Sequence, residues 1–104
     1  MASNKAYLEF VLDQLSETEG ISWRAMMGEY VLYANGVVFG GIYDDRFLVK
    51  STPAAKALMP DAPEELPYAG GKPMLLVERV EEKAFLQQLV SAMLPYLVKP
   101  KKRS

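Results

Sequence analysis

The chain contains no cysteine and no histidine. Without cysteine there is no disulfide, no thiolate metal ligand and no thiol nucleophile. Without histidine it lacks the usual general base near neutral pH and the commonest metal ligand. Long apolar runs are also missing, since the stretch from Tyr30 to Tyr43 is interrupted by Asn35, Gly36, Gly40 and Gly41. It is too short and too broken to read as a membrane span. The opening MASNKAYLEF lacks the charged-then-apolar order of a secretory leader, so the expectation is a cytoplasmic protein. Basic excess is absent from the body. The last six residues hold four of the 12 Lys and Arg side chains and none of the 13 acidic ones, leaving residues 1–98 at −5 and the tail at +4. An acidic body is a poor general binder of phosphate backbones.

What is present fits one small domain. At 104 residues, half of them apolar, the chain can build a single modest core, here placed over 1–98 with a basic tail at 99–104. Tyr7, Val11 and Leu15, with Leu8 and Leu12, form an apolar stripe that predicts a helix from Asn4 to about Ser16. Strands are expected at 22–27, 30–34, 37–43 and 46–50. Asn35-Gly36 is the strongest hairpin signal, because a type I′ turn needs positive φ at both central residues; Asp44-Asp45 is a weaker version. Thr52-Pro53 opens a short helix to about Met59. Residues 60–73, with four prolines and two glycines, read as a loop with a short edge strand near Tyr68. Met74 to Val77 is a last strand. A long amphipathic helix follows from Glu81 to about Val98, which Pro95 should kink or end.

Two-residue loops fix a register that pairs Ala34 with Val37, Leu32 with Phe39, Tyr43 with Arg46 and Gly41 with Leu48. One face then carries Val31, Tyr33, Val38, Gly40, Ile42, Phe47 and Val49. It has no charge and is expected to be the core face, with Gly40 admitting a helix. The other mixes Tyr30, Leu32, Phe39, Tyr43 and Leu48 with Arg46 and Lys50, which reads as a surface for a partner. Arg24 depends on the first turn. A Gly28-Glu29 turn sets it opposite Tyr33 on the core face, whereas a bulge at Gly28 brings it to the Arg46/Lys50 face. Met26, Met27 and Trp23 fit an adaptable contact surface, although such residues are more often core.

Catalytic motifs fail on inspection. Gly41-Ile42-Tyr43 matches half of a nuclease signature, but Ser51-Thr52-Pro53-Ala54 stands where its second half belongs. Gly70-Gly71-Lys72 resembles the end of a phosphate-binding loop, yet Leu66 replaces the first glycine and Pro73 follows the lysine. The carboxylate pairs Asp44-Asp45, Glu64-Glu65 and Glu81-Glu82 lie in turns or at a helix start and point apart. The reading is therefore non-enzymatic, with no cofactor and no metal.

The order Arg24-x-Met26-Met27-Gly28, a strand ending at Tyr33, Asn35-Gly36, Phe39, then Asp45, Leu48 and Lys50 resembles the N-terminal domain of the TfoX/Sxy family of bacterial competence regulators. Met27 stands where that pattern usually has an aromatic. The resemblance implies an α+β fold of two layers, similar to secretion-chaperone-like domains. Its curved, mostly antiparallel sheet of about five strands carries helices on one face, in the order α-β-β-β-β-α-β-α. It also implies no enzyme activity, a role in competence and DNA transformation, and action with a transcription factor such as the cAMP receptor protein. Full-length regulators of the family carry a second domain. The expected interaction surface is Arg24, Tyr30, Phe39, Tyr43, Arg46 and Lys50, serving a protein partner or self-association. The alternative is direct nucleic-acid binding through the basic tail with Arg24, Arg46 and Lys50.

Overall fold

The computed structural model describes residues 4–68 and 70–97. Six strands form one antiparallel sheet: β1 (Ile21–Met26), β2 (Glu29–Ala34), β3 (Val37–Tyr43), β4 (Arg46–Val49), β5 (Glu64–Glu65) and β6 (Met74–Leu76). Their spatial order is β1-β2-β3-β4-β6-β5. Helices α1 (Lys5–Gln14), α2 (Pro53–Leu58) and α3 (Lys83–Leu97) complete the α+β arrangement in the expected order. The short β5, at Glu64 rather than near Tyr68, is the sixth strand. The basic tail (Lys99, Lys101, Lys102 and Arg103) lies outside the described residues.

Local chemistry accounts for the elements. The Asn4 side chain accepts from the Ala6 N–H at 2.8 Å and caps α1. Thr52 caps α2 by accepting from the Ala55 N–H at 3.1 Å, with Pro53 in the first turn. α3 buries Phe85, Leu86, Leu89, Val90, Met93 and Leu97. It runs through Pro95 to Leu97, whose burial anchors the last turn. Glu81 and Glu82 precede its first turn, and Glu82 takes the Arg79 guanidinium instead. Asn4 also donates its N–H to Asp45 Oδ1 at 2.7 Å, tying the start of α1 to the β3–β4 turn.

Three two-residue turns build the meander. Met27-Gly28, Asn35-Gly36 and Asp44-Asp45 all have positive φ at both positions, the type I′ signature. The first turn is thus Met27-Gly28, one residue earlier than the Gly28-Glu29 alternative; it pairs Arg24 with Val31 and sets it on the Arg46/Lys50 side without a bulge at Gly28.

The largest departure lies between β2 and β3. Leu32 faces Gly40, not Phe39, while Tyr33 faces Val38, so Phe39 is the extra residue of a β-bulge. One added residue reverses the alternation beyond it. Gly40, Ile42, Phe47 and Val49 stay on the helix side as expected. Leu32, Ala34 and Phe39 join them there, fully buried, in place of Val31, Tyr33 and Val38. Gly40 is also required by the neighbouring strand: a Cβ there would lie 2.2 Å from the Leu48 carbonyl oxygen of β4. The core is completed by Leu8, Val11 and Leu15 of α1 and the buried stripe of α3, all on one side of the sheet.

Candidate functional site

The bulge divides the six expected surface residues. Phe39 is fully buried, edge-on to Phe47 with ring centroids 6.4 Å apart. Tyr30 lies on the same helix side, half-buried, and meets Trp23 edge-on at 5.6 Å. Neither belongs to the helix-free face where both were expected. The other four lie on the opposite side of the sheet. Arg24 is exposed opposite Val31. Tyr43 pairs with Arg46 on the adjacent strand. Lys50 borders a cleft with Val38, Tyr43, Tyr68, Lys72 and Met74.

Arg46 is occupied within the fold. Its Nη1 donates to Glu65 Oε1 at 2.6 Å, its Nη2 to the Leu66 carbonyl at 3.1 Å and its Nε to the Tyr43 carbonyl at 3.1 Å. A guanidinium fork holds several acceptors at once because its donors are fixed in one plane. Arg46 therefore pins β5 and the start of the Tyr68 loop to the helix-free side. It is a clamp, not a free cation.

Under that clamp lies a second, smaller apolar cluster of Tyr43, Leu48 and Met74 with Leu76 beside it. Gly41 makes room for it, since a Cβ there would meet the Tyr43 ring at 2.7 Å and the Tyr30 carbonyl at 2.5 Å. Tyr68 closes on Tyr43 with centroids 6.1 Å apart. Burial, then Tyr68, Glu29 and Tyr33, raises the Tyr43 hydroxyl pKa above the ordinary phenol value. It stays protonated at neutral pH and is a poor acid–base catalyst.

Beside the cluster opens a cleft of about 410 Å³ lined by Met26, Met27, Glu29, Tyr43 and Tyr68. Met27 is 96% exposed, Tyr68 57% and Met26 48%, with Leu66 also exposed nearby in sequence. Soluble domains seldom leave large apolar groups so close together on the surface. Sequence reasoning weighed Met26 and Met27 as contact or core, and the structure exposes both. It passed over Tyr68 and Leu66, because nothing local in a proline-rich loop tells which side of the sheet the loop will cross.

Among the described residues, no group of three or more Asp and Glu side chains is placed to hold a metal ion, and no helix is long and apolar enough to cross a membrane.

Comparison with known proteins adds the lineage. The model of the TfoX N-terminal domain matches residues 13–93. The chain belongs to this family. A relative from Spirochaeta aurantia, an uncharacterized 12.7 kDa protein in the trpE 5′ region, is 33% identical over 104 residues, covering 99% of this chain and 90% of its own length. No solved structure matches the chain. In this TfoX N-terminal domain, Arg24, Met26, Met27 and Gly28 make the tip of the first hairpin. Asn35-Gly36 makes the second turn. Phe39 marks the bulge that places both.

Proposed function

We propose that this TfoX N-terminal domain is a non-enzymatic regulatory module that binds a partner protein through the helix-free side of its sheet. The contact centres on Met26, Met27, Tyr43 and Tyr68, with Arg24, Lys50 and Lys72 as a basic rim. The partner is a transcription regulator of the cAMP receptor protein type, as the family resemblance implies. One observation carries the reading: exposed Met26, Met27 and Tyr68 surround an open cleft beside a packed apolar cluster, the two sharing Tyr43. Flexible methionine side chains and a rigid tyrosine suit recognition of a protein surface. Direct nucleic-acid binding has less support, since Arg46 is engaged by Glu65 and Leu66.

The test uses purified cAMP receptor protein from the source organism and a Met27→Asp/Tyr68→Asp double variant. The wild-type chain should bind it and the variant should lose at least tenfold in affinity, with an unchanged circular dichroism spectrum. Binding that is absent from the wild type, or equal in the folded variant, would refute the proposal.

A further inference from the structure

The two edges of the sheet differ in how they are protected. β5 is two residues long, both glutamate, with Pro63 before it and Pro67 soon after. Short length, charge and proline are the usual devices that stop an edge from pairing with another chain. β1 has almost none of them. It runs six residues, ISWRAM, in unbroken register with β2, without proline or bulge and with Arg24 as its one charge. Five of its six residues are exposed.

The free backbone groups of β1 can be identified. The Asn35 N–H donates to the Gly20 carbonyl at 2.9 Å, and Ile21 faces Ala34 in the same ladder. Antiparallel bonding alternates along a strand, so Gly20, Ser22, Arg24 and Met26 bond to β2. Ile21, Trp23 and Ala25 therefore direct their N–H and C=O groups outward from the edge.

We propose that a second copy of this chain pairs with that edge, β1 against β1, antiparallel about a two-fold axis at Trp23. This register is independent of the partner-protein reading above. It sets Trp23 opposite Trp23 of the second copy, Ile21 opposite Ala25, and Ser22 opposite Arg24, and it uses every outward backbone group of the three residues. The neighbouring registers are worse. Centring on Arg24 places two guanidinium groups directly opposite each other, and like charges there are destabilising. Centring on Ser22 leaves the Ala25 groups unpaired. In the favoured register the two indoles meet on the helix side, each edge-on to its own Tyr30, and cover a tryptophan that is 38% exposed in the single chain. Joining two sheets through one strand each makes a small interface, so the dimer is weak and depends on concentration.

Sedimentation velocity across a concentration series tests this, with circular dichroism to check folding. The wild type should pass from monomer to dimer. Trp23→Lys, which opposes two ammonium groups across the axis, should remain monomeric. Ser22→Glu should strengthen the dimer by roughly threefold to tenfold at low salt, because the new carboxylate faces Arg24 of the second copy at two symmetric sites. Of the three registers, only this one sets that carboxylate directly opposite Arg24 of the second copy. The proposal is overturned by a wild type that stays monomeric at the highest concentration, by an edge that takes up only a foreign peptide, or by a dimer that Trp23→Lys leaves intact. A dimer that Ser22→Glu fails to tighten overturns it equally.

Discussion

On the helix side of the sheet, Leu32, Phe39, Ile42, Phe47 and Val49 are sealed from solvent together with residues of α1 and α3. On the opposite side, Tyr43, Leu48 and Met74 are also buried, but they sit beside a loop pinned by Arg46, and Met26, Met27, Leu66 and Tyr68 remain exposed. The first side is a core in the ordinary sense, closed over these five residues and open toward the β1 edge, where Trp23 is 38% exposed. The second is a partial core that ends in an open cleft. Two sides of one sheet thus differ in closure, one sealed by helices and one ending in exposed apolar side chains.

The contrast is broken most severely at Phe39. Phe39→Ala should lower stability by about 3–5 kcal/mol, the usual cost of a large cavity in a packed core, as read by urea denaturation. A loss below about 1 kcal/mol, as for a surface residue, would mean that the bulge does not turn Phe39 inward. Its role also explains how far the sequence could be read. The hairpin turns and the helix stripes are local signals, and Asn35-Gly36, Thr52-Pro53 and the Phe85–Leu94 spacing all led to the observed elements. The bulge is set by a longer-range fit, since Gly40 must pass the Leu48 carbonyl. Its sequence trace was Gly40-Gly41 inside a strand, where glycine often marks a bulge. Alternation carried past that point assigned β2 to the wrong side and took Tyr30 and Phe39 for surface. The candidate site was legible only in part for the same reason. Tyr43, Arg46 and Lys50 lie beyond the bulge on the side expected, whereas the Tyr68 loop reaches them through tertiary contacts.

A milder change separates the two sides without touching the main core. Arg46→Ala removes the ion pair to Glu65 and the bond to the Leu66 carbonyl, both partly exposed. Solvent screening limits the cost to about 1 kcal/mol. Hydrogen exchange should rise at Glu65 and in the 66–68 and 70–73 stretches, while Phe47 and Leu86 stay protected. Equal acceleration in α3 would show that the clamp supports the whole fold rather than one loop.

The smallest expected effect on stability falls at Met27, and its sign is the informative part. Met27 has φ of +53° at the first position of a type I′ turn, a conformation costly for a side chain of this kind and well suited to asparagine before glycine. It is also almost wholly exposed, so packing within the chain does not repay the strain. Met27→Asn should therefore stabilise the domain by about 0.5–1 kcal/mol, raising the urea midpoint. If the cleft is the partner-binding surface, the same substitution should weaken binding of the cAMP receptor protein, because the thioether that reaches outward is gone. Stability and association then move in opposite directions, as expected where a strained residue is kept for contact. If binding survives the change, or if stability falls, Met27 is not held in this turn for recognition.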